Sequence, residues 1–159
     1  MTDQLWTKSA TELAGLIASK QVKSREVVDA HLDRIAEVNP RLNAITVEMA
    51  EAAQAGADAA DATEASGPFH GVPFSIKENI DQIGYATTQA VAAFAEARPS
   101  VNAPTVQRML DAGAIPIGRT NMPELGLRVS TDNSFRGLTR NPWASTTPPV
   151  VRAVVRVRP

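Results

Sequence analysis

Hydrophobic positions along the chain change their period several times, and each change marks an element. Ser9-Ala10-Thr11-Glu12 forms a capping box, and Leu13, Leu16 and Ile17 follow on one helical face. After a polar turn at 20–23, Ser24 is placed to cap a second helix. Its apolar stripe is Val27, Val28, His31, Leu32, Ile35 and Val38. Asn39-Pro40 predicts the end of that helix, because proline disfavours helical geometry in the residue before it. Two short antiparallel helices are the simplest outcome. Residues 43–47 read as a brief strand. From 48 to 64 alanine dominates, with dispersed acids. Helix propensity there is high but the apolar face is weak, as for a helix lying on a larger body.

At Gly67-Pro68 a tight turn begins, and the period then drops to two. Val72, Phe74 and Ile76 fall on one face of a strand, and Ser75, Lys77 and Asn79 on the other. Residues 80–84 read as a turn. Residues 102–112 predict a helix with Pro104 in its first turn, a Val106, Met109 and Leu110 face, and Gly113 as its stop. Residues 114–117 form a short apolar strand in which Pro116 points to an edge or a strand end. Helix and strand alternate over short links, so the chain is α/β.

Bulk properties narrow the function. A chain of 159 residues can bury one core, and its net charge of −1 gives no case for nucleic acid or an anionic membrane surface. There is no cysteine, which excludes disulfides, thiolate metal sites and a cysteine nucleophile. The first residues lack a basic segment followed by an apolar one, and no run reaches membrane-spanning length. A cytoplasmic protein without metal or cofactor is the expectation. His31, inside an apolar stripe with no carboxylate partner apparent, reads as a core-edge histidine. His70, in a Gly/Pro turn, reads as a turn histidine bonding backbone rather than a general base. Lys77 shares a strand face with a hydroxyl and an amide. That marks either a solvated edge or the start of a polar site, and burial habits alone favour the edge.

The residues around Lys77 change that balance. Gly67-Pro68-Phe69-His70-Gly71-Val72-Pro73-Phe74-Ser75-Ile76-Lys77-Glu78-Asn79 resembles the first block of the amidase signature family. There a Gly-Pro-Leu-His-Gly-Ile-Pro stretch leads into a strand ending Lys-Asp-Asn. Residues 112–124, Ala-Gly-Ala-Ile-Pro-Ile-Gly-Arg-Thr-Asn-Met-Pro-Glu, resemble the next signature of that family. Residues 136–143, Arg-Gly-Leu-Thr-Arg-Asn-Pro-Trp, resemble its approach to a serine–glycine loop. The resemblance runs from 9 to 143 and then stops.

It implies the leading part of the amidase signature fold, a mixed twisted sheet flanked by helices, here incomplete. The helices at 10–38 would pack on strands encoded further downstream. It also implies hydrolysis of carboxylic acid amides by a Ser–cis-Ser–Lys relay. A lysine accepts the proton, the first serine of a Gly-Gly-Ser-Ser-Gly-Gly loop passes it on, and a second serine attacks the carbonyl. Backbone amides beside that serine bind the oxyanion. By position Lys77 is the base. Thr120, Asn121 and Met122 lie beside the family's substrate cavity and become candidate substrate-binding residues; read alone, they are a polar turn capping the next helix. One departure concerns Thr87-Thr88, after which the family's Ala-Gly-Ser is replaced by Gln89-Ala90-Val91. The resemblance fits small-amide amidases, lipid-amide hydrolases and the amidotransferase subunit of transfer-RNA charging alike.

Neither serine is here. No Gly-Gly-Ser occurs, and Ser130 and Ser134 precede the third block and match neither role. Residues 144–159 carry a run of valine and arginine instead. Read from the third base of each codon, permitted codons for 149–156 give Gly-Gly-Ser-Ser-Gly-Gly-Ser. Loss of one base from an Asp codon after Trp143 produces this shift, and its return restores Asn-Pro-Trp-Asp. Residues 1–143 are therefore expected to be the N-terminal part of an amidase-signature domain, and 144–159 a non-homologous, frameshifted and disordered tail. Read as a strand, that tail has apolar residues in pairs rather than in alternation. Its arginines lack the interleaved aromatics of a nucleic-acid site.

The resulting expectation is an amide hydrolase present as a fragment without its serines and inactive alone. The competing readings are a non-catalytic module that binds a small molecule or a partner subunit, and an inactive misfolded remnant. Missing sheet partners would leave the Val27/Leu32/Ile35 or the Phe74/Ile76 face uncovered, favouring aggregation or a homo-oligomer.

Overall fold

The computed structural model describes residues 2–143, and the expectation for 144–159 lies outside the described residues. A 3-10 turn at Thr2–Thr7 leads into α1 (Ala10–Ala18) and α2 (Ser24–Leu42), followed by β1 (Ile45–Glu48) and α3 (Ala50–Asp61). Then come β2 (Pro73–Lys77), α4 (Pro104–Asp111) and β3 (Ile115–Thr120), with 3-10 turns at Ala92–Phe94 and Glu124–Gly126. The sheet order is β1-β3-β2, with β1 antiparallel and β2 parallel to β3. The chain is α/β, as the alternation of helix and strand implies, and its mixed sheet with flanking helices is the arrangement that the resemblance implies.

Two apolar clusters fix the layers. Val28 of α2 and Ala53 and Ala57 of α3 pack on Ile115 and Ile117 of β3. The weak apolar face of α3 is thus an advantage, because alanines let its backbone approach the sheet closely. An added Cβ at Gly56 would already touch Ile115 at 3.5 Å. The second cluster joins Leu5, Leu13, Ile17, Val27 and Val72, holding α1 and α2 over the start of β2.

Ser9 caps α1 as expected, accepting from the Glu12 N–H at 3.2 Å while Glu12 accepts from the Ser9 N–H at 2.8 Å. Ser24 does not cap α2. It is the first helical residue, wholly buried, and its hydroxyl donates to Gly71 O at 2.8 Å. The N-terminal amides of α2 are satisfied from α3 instead: the Asp61 carboxylate accepts from Ser24 N at 2.7 Å and Arg25 N at 3.1 Å. Gly71 has φ +76, and a Cβ there would lie 2.7 Å from Ser24 Oγ, so only glycine fits.

Asn39-Pro40 does not end α2 either, which continues to Leu42 with Asn43 in the left-handed region at φ 54. Pro40 lies in the last turn. Asn39 organises the exit, accepting from Ala44 N and Ile45 N at 2.8 and 2.9 Å and donating to Ile45 O at 2.8 Å. Pro116 lies at the start of β3, the strand-end position that its sequence implies, although β3 is the central strand. It is tolerated because β1 pairs only with residues 118–120, so at Pro116 the sheet has one neighbour, Phe74, next to a register shift. Of the faces expected to be uncovered, Val27 and Ile76 are buried, while Leu32, Ile35 and Phe74 are half-buried.

Candidate active site

Lys77 is the last residue of β2, and its partner across the parallel ladder is Thr120, the last residue of β3. Both therefore sit at the carboxyl ends of parallel strands, where open α/β sheets bind ligands. Lys77 is half-buried, and its ammonium has no hydrogen-bond or ion-pair partner among the described residues.

The next residue is the opposite case. Glu78 is completely buried. Its Oε1 accepts from Thr88 Oγ1 at 2.5 Å and from Arg136 Nε and Nη2 at 2.9 and 2.8 Å. Its Oε2 accepts from Thr46 Oγ1 at 3.3 Å. One carboxylate thus gathers β1, the 85–91 loop and the 131–140 loop at the end of β2. Charged donors offset the desolvation of the carboxylate. Arg136 also lies over the Phe135 ring, 4.3 Å from its centre.

Arg119, on β3, is nearly sealed from solvent and donates to Gln82 Oε1 at 3.2 Å, Glu78 O at 3.1 Å and Ile80 O at 3.0 Å. Its Nε has no partner among the described residues. Burial pulls its guanidinium below the ordinary arginine value, and the charges of Glu78 and Asp81 oppose that shift.

Of the remaining candidates, Thr120 is half-buried opposite Lys77, and Asn121 and Met122 are buried. Asn121 is committed to the protein. It donates to Gly137 O at 3.1 Å and Thr139 Oγ1 at 3.0 Å, and accepts from Met122 N at 2.9 Å and Asn133 Nδ2 at 3.0 Å. Asn133 also donates to Met122 O at 2.9 Å. In this conformation Asn121 and Met122 hold the 131–140 loop to the end of β3.

Both histidines bond backbone. His31 Nδ1 lies 2.7 Å from Val27 O, and burial lowers its pKa, with that bond opposing the shift. His70 Nδ1 accepts from Ser66 N at 3.4 Å, leaving Nε2–H to donate to Ala60 O at 3.0 Å. Among the described residues no group of three or more His, Cys, Asp or Glu could hold a metal ion. No described helix is long and apolar enough to cross a membrane.

The loop after Thr88 shows what the departure from Ala-Gly-Ser does. Gln89 and Ala90 both take positive φ, 53 and 59. The loop adopts a left-handed turn without glycine, tied by Ala90 N donating to Thr88 Oγ1 at 3.1 Å.

The amidase family model matches residues 26–149. This chain belongs to the amidase family. It is 44% identical over 143 residues to an indoleacetamide hydrolase of Bradyrhizobium diazoefficiens, a match covering 87% of this chain and 27% of that protein. To the A-type subunit of glutamyl-tRNA(Gln) amidotransferase from Acidothermus cellulolyticus it is 41% identical over 140 residues, 86% of this chain and 28% of that protein. The solved structure of 6-aminohexanoate cyclic dimer hydrolase superimposes with a TM-score of 0.78 and 35% identity, over 88% of this chain and 28% of that one. The chain thus spans under a third of the length of these relatives.

In this amidase-family chain the three motif blocks meet at one place. The first ends in β2, the second is β3 and the turn after it, and the third is fastened to both by Glu78 and Asn121. Glu78, Arg136 and Asn133 went unnoticed in the sequence. The signal was an acid in one block and an arginine in another, opposite charges that a fold can bring together.

Proposed function

We propose that this chain is the lysine-bearing leading part of an amide hydrolase, that Lys77 is the base of its proton relay, and that these 159 residues alone are inert. In the complete site the neutral amine of Lys77 takes the proton of a relaying serine. That serine takes one from a second serine, whose oxygen bonds to the amide carbon. Collapse of the tetrahedral adduct breaks the C–N bond, and the proton returns to the leaving amine. Both hydroxyls come from residues this chain does not carry.

The observation that carries the reading is the contrast between neighbours. Lys77 stands half-buried at the carboxyl end of a parallel strand with its ammonium unengaged among the described residues, while the Glu78 carboxylate beside it is fully engaged. Thr120, across the ladder, forms the other side of the proposed substrate approach, with Asn121 and Met122 as its floor.

Indole-3-acetamide is the first substrate to try, given the relative named for it. The purified chain should show no turnover above buffer. Restoring the adjacent reading frame from Trp143 onward should produce turnover, and Lys77→Ala should then reduce it by roughly 10²–10⁴-fold, the usual contribution of a proton-transferring group. Turnover by the unrepaired chain that Lys77→Ala abolishes would refute its inertness, and repaired activity indifferent to Lys77→Ala would refute its role.

A further inference from the structure

Among the described residues the largest side chain wholly sealed from solvent is a cation, Arg119. Its hydrogen-bond acceptors are neutral. Nη2 donates to the main-chain oxygens of Glu78 and Ile80 at 3.1 and 3.0 Å, and Nη1 donates to Oε1 of Gln82 at 3.2 Å. Burying a charge on neutral acceptors is costly, and Nε is left without a partner among the described residues. What the guanidinium supplies in return is the shape of one turn. Ile80 N donates to Lys77 O at 2.9 Å, closing residues 77–80, and Glu78 N donates to Thr120 O at 3.0 Å, one residue past the end of β2. The carbonyls of Glu78 and Ile80 both go to the same nitrogen of Arg119, which holds the two residues at a set spacing.

Strand register puts the two cations on opposite faces. Lys77 pairs with Thr120, and Ile76 pairs with Arg119. Paired residues share a face and successive residues alternate, so Arg119 lies on the face of the buried Ile76, and Lys77 stands on the other. Arg119 therefore reaches the backbone of the turn from beneath and leaves the Lys77 amine clear. We propose that Arg119 is a positioning residue for Lys77: by holding the carbonyls of residues 78 and 80 it fixes the backbone from which the Lys77 side chain projects at the strand ends. This rests on the reading of Lys77 as the base, and adds to it the group that sets the direction of the amine. Arg119 touches no reacting atom. Its effect is leverage, because a lysine carries its nitrogen on a four-carbon stem, and a small rotation at the root displaces the amine much further. Misplacing a reacting group by about 1 Å costs about 100-fold in rate.

The test begins with NMR of the full chain. In the wild type, nitrogen–carbon couplings should cross the hydrogen bonds from Arg119 Nη2 to Glu78 and Ile80. A freely rotating guanidinium would overturn the proposal without any variant. Arg119→Met keeps the length of the side chain and removes the donors. The Ile80 amide should then exchange about tenfold faster or more while amides of α2 keep their rates, and the Cα and Cβ shifts of Lys77 should move toward coil values. Arg119→Lys retains the charge and some of the donors and should restore part of both. Wild-type exchange at Ile80 with unmoved Lys77 shifts would overturn the proposal, and so would faster exchange spread evenly over the chain, the mark of a general stability role. In the frame-restored chain Arg119→Met should lower kcat by about 10–100-fold and leave KM unchanged. The two readings fail separately. Turnover indifferent to Lys77→Ala ends the reading of the base, whereas a loosened turn at 77–80 with kcat unchanged ends the positioning role alone.

Discussion

Arg136 donates from both Nε and Nη2 to a single oxygen of Glu78, at 2.9 and 2.8 Å, and the Glu78 side chain is entirely out of solvent while that of Arg136 is about one-quarter exposed. Removing the cation leaves a buried carboxylate with hydroxyl donors alone. Arg136→Ala should therefore destabilise the chain by about 3–5 kcal/mol, the range for breaking a buried pair. Urea unfolding should show it as a lower midpoint. A Glu78→Gln, Arg136→Met double variant should recover part of the loss, because it removes both charges.

His31 gives a pH dependence. Burial holds its folded pKa below the ordinary value of 6.5. The unfolded chain then binds more protons than the folded one as pH falls through 6.5. Stability should be complete above 6.5, decline below it, and level off once pH passes the folded pKa. Thermal unfolding at closely spaced pH values should show this slope, and His31→Gln should flatten it.

Ala90 has φ 59 and is fully buried. Ala90→Gly relieves a left-handed strain of about 1–2 kcal/mol, while the greater freedom of glycine when unfolded and the loss of a buried methyl group, about 0.8 kcal/mol, act against it. Chemical denaturation should therefore show a net change within about 1 kcal/mol of zero, with unchanged circular dichroism, and a larger loss would show that the turn does not strain alanine.

The gene offers a direct check on the tail. Sequencing across codon 144 should show the adjacent frame encoding Asp, five residues and then Gly-Gly-Ser-Ser-Gly-Gly-Ser. An adjacent frame without that loop ends the frameshift reading.

Elements set by local chemistry were legible in the sequence: the Ser9–Glu12 box, the Pro104 start of α4, the Gly113 stop and the period-two run ending at Lys77. Where long-range partners decide, local rules gave the wrong answer. Ser24 has the composition of a cap, but the oxygen of Gly71 claims its hydroxyl, 47 positions away. Pro116 is the milder case: its strand-end position was legible, but not that the strand is the central one, which holds a proline because β1 stops short of it. At the candidate site, motif order singled out Lys77 and the segment after β3 as candidates, and the structure sets Lys77 opposite Thr120 at the strand ends. Motif order did not reveal that Glu78 and Asn121 fasten the blocks together, because that depends on which loops fold back over the strand ends.

The Asp61 carboxylate at the start of α2 has a consequence for synthesis. Residues 24 and 25 leave the ribosome well before position 61, so the first turn of α2 emerges with its amides facing only water. Its final anchoring must wait until α3 has been made and has swung back. Asp61→Asn should therefore slow refolding and not merely speed unfolding, if the junction of these two helices forms before the rate-limiting barrier.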